Sequence, residues 1–293
     1  MRKGVYAANV TPFREDDLSL DVDAYRRHVA WLAEQGVAGV AAFGTNGEGP
    51  SVTVDEKVTV LEALVADDLG IDLMPVLTEG NLPDTLRLLE RVNDLPAGGV
   101  LVLPPYYFHP VSADGLRAFY ERVLDAARHP VLVYHIPRYS VPVPADLVAS
   151  LPVWGAKNSA DDPAWSATLR AAGQQVMVGT ESDLGHDLVD GHGAISALAN
   201  IVPRQMVEVH RLVHAGETDA AARLADHLRG VVDVTKEHDS PGVLKRLAEA
   251  QSGIPMGTVR PPLLPPPASY DIAAALAKLT PTLTRRELRA QPR

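Results

Sequence analysis

The chain has 293 residues, 46% of them apolar, a formal net charge of −10 and no cysteine. That length and apolar share fit a globular core in one large or two smaller domains, and exclude a disordered chain. The acidic balance argues against nucleic acid or an anionic membrane as partner, and the missing cysteines exclude disulfides, thiolate nucleophiles and Cys-ligated zinc.

The opening stretch, "MRKGVYAANV", lacks the apolar core of a signal peptide, and no apolar run approaches the ~20 residues of a membrane span. A cytoplasmic enzyme is the expectation. Eight short apolar runs follow in order: "GVYAANV", "GVAGVAAFG", "IDLMPVLTEG", "GGVLVLPP", "PVLVYHIP", "VWGAKNS", "QVMVGTES" and "GAISALAN". Segments with helical spacing lie between them, such as 21–35, 53–68 and 82–94. Several open on Asp, Ser or Thr, the residues that cap helix N-termini. Continuous apolar strands alternating with helices predict a parallel sheet covered on both faces. Eight such units predict a (β/α)₈ TIM barrel over residues 1–202. The competing reading is an open doubly wound sheet, but "GTNGEG" (44–49) has its glycines wrongly spaced for a dinucleotide turn.

From Pro203 the strand pattern stops. Helices are expected over about 203–215, 217–236 and 241–251. The proline-rich "GTVRPPLLPPPAS" and a last helix near 270–279 follow. Residues 203–293 therefore read as a C-terminal helical appendage packed on the barrel.

In such barrels the chemistry sits at the C-terminal ends of the strands. Those ends carry Thr45 and Asn46, Tyr106 and Tyr107, Tyr134 and His135, Lys157 and Asn158, and Thr180, Glu181 and Ser182. Lys157 stands out because it ends an apolar run, whereas the other five lysines have polar or charged neighbours or lie at the chain start. An amine drawn out of water favours its neutral, nucleophilic form. With a phenol nearby it suits Schiff-base chemistry, in which an iminium acts as electron sink and the phenol moves protons. Taken alone, Lys157 also fits a lysine reaching out to solvent from a loop start. Tyr134 fits a packed rim aromatic, and "GTNGEG" fits either a plain turn or a backbone cradle for an anion. His210 and His214 are spaced for a metal but lack a third ligand, so no metal is expected.

In order and spacing, "ANVTPF" (8–13), "GTNGEGPSVT" (44–53), "PPYYFHP" (104–110), "VYHIP" (133–137), "GAKNSADD" (155–162), "GHGAISALANIVP" (191–203) and "VRPPLLP" (259–265) resemble the dihydrodipicolinate synthase and N-acetylneuraminate lyase family of class I aldolases. The resemblance covers nearly the whole chain. It implies a barrel with a C-terminal helical part, homo-oligomers built from tight dimers and often tetrameric, and a 2-oxo acid substrate with no cofactor. It further implies Lys157 as the Schiff-base lysine, Tyr134 as the proton-shuttling phenol and Thr45 as its relay hydroxyl. Tyr107 matches the tyrosine that reaches a neighbour's site. Asn46 matches the position whose N–H holds the pyruvate carboxylate. Gly179 and Ile195 match pocket-lining residues.

Three positions depart from the family pattern. Asn46 stands where a Thr or Ser-Thr pattern is usual, and Asn158 where an acid is common. The arginine that binds the second substrate in the synthases is replaced by Tyr139, with Arg138 one place early. The pyruvate half is therefore read as intact, and the aldehyde partner as set by Arg138, Tyr139 and Glu181. The reading leans to an aldolase of a 2-keto-3-deoxy sugar acid or 4-hydroxy-2-oxoglutarate. A synthase using aspartate semialdehyde and a non-catalytic 2-oxo acid binder are the alternatives.

Overall fold

The computed structural model describes residues 1–180, 184, 188–236 and 240–279. Eight parallel strands form a closed barrel in sequence order: β1 (Gly4–Ala7), β2 (Gly39–Ala42), β3 (Asp72–Leu77), β4 (Val100–Val102), β5 (Val131–His135), β6 (Gly155–Asn158), β7 (Gln175–Val178) and β8 (Gly193–Ser196). Closure comes from β8 lying against β1, in register from Gly4 opposite Gly193 to Ala7 opposite Ser196. The eight apolar runs of the sequence are these eight strands, and the open-sheet reading falls away.

Side chains alternate across each strand, so every strand feeds two layers. The inner layer fills the barrel with Tyr6, Met74, Leu101, Leu132, Tyr134, Met177 and Ile195. Their strand neighbours, such as Val131, Val133 and Ala156, face outward into a larger core shared with the helices. Those helices are α1 (Val22–Glu34), α2 (Val54–Asp67), α3 (Leu82–Val92), α4 (Ala113–Ala126), α5 (Ala145–Ala149) and α6 (Pro163–Ala171). Their starts follow the sequence signals. Asp21, Asn81, Ser112 and Asp162 each accept a backbone N–H of the first turn, and Thr53 with Glu56 forms a reciprocal capping box at α2.

After β8 come α7 (Pro203–His214), α8 (Thr218–Lys236), α9 (Ser240–Ser252) and α10 (Ile272–Leu279). Helix α7 follows β8 and packs on β1 with Met206 and Val209 buried. Helix α9 buries Val243, Leu244, Leu247 and Ala248. No helix among the described residues is long and apolar enough to cross a membrane.

Candidate active site

Lys157 and Tyr134 are register partners on adjacent strands β5 and β6. Both occupy inward positions, because the pleat sends Val133 and Ala156 outward. Their side chains therefore converge inside the C-terminal mouth. The Lys157 amine stands 3.2 Å from the Tyr134 hydroxyl and 4.4 Å from the centre of its ring. Thr45, in the turn after β2, places its hydroxyl 3.1 Å from the same phenol. One phenol thus links an amine on one side to a hydroxyl on the other.

Gly179, just past β7, makes room for this lysine. A Cβ there would lie 2.8 Å from Lys157 Cε and 2.6 Å from the Asn158 carbonyl. Ile195 is buried in the inner layer beneath. The turn carrying Thr45 and Asn46 is closed by Glu48 N donating to Thr45 O (3.1 Å) and Gly49 N donating to Gly44 O (3.0 Å). Among the described residues, neither the Thr45 nor the Asn46 N–H has an acceptor. Such free donors are what a carboxylate would use.

Other expected site residues sit at the rim. Tyr107 is 81% exposed and packs edge-on against Phe108. Arg138 is exposed, its guanidinium 5.2 Å from the centre of the Tyr139 ring. Glu181 and Ser182 lie outside the described residues. Two strand-end residues expected at the mouth point away from it. His135 stacks on Trp165 at 4.3 Å, and Asn158 donates to Asp162 O and Ser166 Oγ. Both occupy the outward phase of their strands, where the helix α6 region covers them. Burial takes the His135 imidazolium down to about 4.

Burial does not single out Lys157. It is 4% exposed, but Lys57 and Lys245 are each 1% exposed, against the expectation that polar neighbours in sequence keep them in water. Sequence neighbours on a helix are not spatial neighbours, and both amines have carboxylates waiting inside. Lys57 pairs with Glu79 at 2.5 Å and donates to Thr78 Oγ1 at 2.8 Å. Lys245 pairs with Glu48 at 2.5 Å. Burial lowers both ammonium groups, Lys245 to about 8, while the carboxylates pull back. Lys157 alone of the three has no carboxylate partner among the described residues. Glu48, Lys57 and Lys245 escaped the sequence reading; the signal was present only for Glu48, as the acid inside the glycine turn.

A buried amine with no carboxylate partner among the described residues, bonded to a phenol that is itself bonded to a hydroxyl, can attack a carbonyl and relay protons. The dihydrodipicolinate synthetase family model matches residues 1–279. An uncharacterized DapA-like lyase of Chloroflexus aurantiacus is 31% identical over 275 residues, covering 90% of this chain and 91% of that protein. A 4-hydroxy-tetrahydrodipicolinate synthase of Laribacter hongkongensis is 31% identical over 276 residues, covering 90% and 93%. Among solved structures, a 2-keto-3-deoxygluconate aldolase variant of Sulfolobus solfataricus superposes with a TM-score of 0.87 at 22% identity, covering 94% of each chain. A dihydrodipicolinate synthase does so at 0.87 and 25%, covering 94% of this chain and 99% of the other. Fold and site together define a carbon–carbon lyase of the Schiff-base class. The chain belongs to the dihydrodipicolinate synthetase family.

Proposed function

We propose that Lys157 is the Schiff-base lysine of an aldolase that cleaves or forms a hydroxylated 2-oxo acid, with pyruvate as the common product or donor. The observation that carries this is the Lys157–Tyr134–Thr45 chain, in which the amine has no carboxylate partner among the described residues. The substrate carboxylate docks on the Thr45–Asn46 turn. Lys157 Nζ adds to the C2 carbonyl, and the carbinolamine loses water to leave an iminium. Tyr134, left as phenolate after giving its proton to the departing carbinolamine hydroxyl, then takes the proton of the C4 hydroxyl. The C3–C4 bond breaks, its electron pair moves to the iminium nitrogen, and an aldehyde leaves. The resulting enamine is protonated at C3, and water releases pyruvate and the free amine. Gly179 and Ile195 shape the pocket around the imine. Arg138, Tyr139 and Glu181 select the aldehyde, with a 2-keto-3-deoxy sugar acid or 4-hydroxy-2-oxoglutarate as substrate.

One observation favours a second reading. Relatives above 30% identity carry the name 4-hydroxy-tetrahydrodipicolinate synthase. Against it, the rim after β5 offers Arg138 lying over Tyr139, one place before the position expected of a synthase arginine. We also place the enzyme in the cytoplasm, which suits a chain without cysteine. We read Tyr107 and Phe108, an exposed aromatic pair, as a contact between protomers of a dimer or tetramer in which Tyr107 enters the partner's mouth.

Incubation with pyruvate, borohydride reduction and intact mass should show one adduct, equal to pyruvate less water plus two hydrogens, mapped to Lys157. An unchanged mass, or an adduct on Lys57 or Lys245, sinks the assignment. The same enzyme is then given a panel of aldehydes with pyruvate, and 2-keto-3-deoxy acids in the cleavage direction. Aspartate semialdehyde as by far the best acceptor would select the synthase reading.

A further inference from the structure

The turn that carries Thr45 ends on a residue that the relay does not use. Glu48 has a left-handed backbone (φ 53°), and its N–H closes the turn on the Thr45 carbonyl. Its carboxylate points away from the mouth, into a buried cluster drawn from three distant parts of the chain. One oxygen pairs with Lys245 of α9 at 2.5 Å. The other accepts the Arg260 N–H at 3.0 Å. Lys245 also donates to the Thr258 carbonyl and lies 4.4 Å from the centre of the Phe13 ring. Arg260 lies 4.3 Å from that ring. Its guanidinium reaches Glu56 at 2.5 and 3.0 Å and the Ser51 carbonyl at 2.7 Å. Gly257 lets the 255–260 segment come this close, since a Cβ there would fall 1.9 Å from the Phe13 carbonyl.

The charges in this cluster balance. Glu48 and Glu56 face Lys245 and Arg260, so the cluster has no need of an outside counter-ion and is not a ligand site. Nor is a buried ion pair a strong source of stability, because desolvation offsets most of the attraction. Its best-attested use is to specify one conformation over others. Here the specified conformation is the turn 44–49, held also by Thr11 Oγ1 donating to Gly47 O at 2.6 Å. What that turn holds in place is the Thr45 hydroxyl.

We propose that the Glu48–Lys245 ion pair is the positioning element of the catalytic turn: helix α9, beyond the barrel's last strand, sets where Thr45 stands against Tyr134 and so governs the rate of proton transfer without touching substrate. This rests on the reading of Thr45 and Tyr134 as the proton relay. Both groups of the pair are positioning residues.

The test separates imine formation from proton transfer. Pyruvate trapping by borohydride reports the first. Exchange of the pyruvate methyl hydrogens in deuterium oxide, followed by NMR, reports the second. Glu48→Gln and Lys245→Met should still trap pyruvate, while methyl exchange and kcat fall by up to about 10²-fold, the scale of loss from small misplacement of a reacting group. Lys245→Arg, which keeps a cation at the carboxylate, should recover part of that loss. Combined with Thr45→Val, Glu48→Gln should add no further loss, because both changes act through one hydroxyl. Thermal melts run beside each assay, and Glu48→Asp carries the same test if the Gln or Met variant does not fold. Parent-like exchange in a folded Glu48 or Lys245 variant, or losses that multiply with Thr45→Val, would overturn the proposal. Unchanged exchange in Tyr134→Phe and Thr45→Val would instead overturn the relay on which it rests.

Discussion

The Lys157 amine, the Tyr134 phenol and the Thr45 hydroxyl form a chain with steps of 3.2 and 3.1 Å. Removing only the phenol oxygen leaves the ring to fill its place in the inner layer. Tyr134→Phe should therefore melt near the parent temperature while kcat falls by about 10²–10⁴-fold, the usual share of a general acid–base group. Thr45→Val should lose less, since Thr45 orients the phenol. Near-normal turnover in a folded Tyr134→Phe would return that residue to a packing role. Gly179→Ala tests the space beside the lysine. Its methyl group would sit 2.8 Å from Lys157 Cε and 2.3 Å from Ser159 Oγ. Loss of pyruvate trapping in a protein that still folds is the expected result, and full trapping would show that the lysine can shift aside.

At the scale of elements, the two phases of each strand decide what a strand-end residue does. Tyr134 and Lys157 point in, whereas His135 and Asn158 point out to the α6 region and serve packing. Helix starts bear on the mouth as well. The Thr53–Glu56 capping box opens α2 a few residues after the 44–49 turn, and Glu56 is also held by Arg260. Thr53→Ala removes the hydroxyl that accepts the Glu56 N–H. It should lower stability by about 1 kcal/mol, seen as a fall of about 2 °C in Tm. Pyruvate trapping should be unaffected, because Thr53 does not touch Thr45. A change in trapping without a change in Tm would contradict this.

For the whole molecule, buried imidazoles make the barrel sensitive to acid. His28 is fully buried, with Nε2 3.0 Å from Asn200 Oδ1, and burial lowers its imidazolium from 6.5 to about 4. The folded state therefore resists a proton that the unfolded chain accepts below pH 6.5. Stability from this group is complete above pH 6.5 and declines as pH falls toward 4, by about 3 kcal/mol in all. The Tm should drop across that window. His28→Gln, which keeps a donor for Asn200 but cannot titrate there, should flatten part of the drop; parallel profiles for the two proteins would remove His28 as a cause.

Much of this was legible in the sequence because it depends on local pattern. Apolar runs long enough for one strand, spaced by capped helical segments, yield eight parallel strands. Strand-end position named Lys157, Tyr134 and Thr45 together with His135 and Asn158, and the family motifs, not the strand period, set the first three apart. The family followed from motifs in order. Depth and partnership were not legible. "DEKVTV" and "VLKRLA" set their lysines among polar or charged neighbours, yet Lys57 and Lys245 are more buried than Lys157. Their carboxylate partners, Glu79 and Glu48, come from the loops after β3 and β2. Whether a lysine ends beside an acid or beside a phenol is decided by which segments the closed barrel brings together, and among the described residues that separates two pinned ammonium groups from an amine bonded to a phenol.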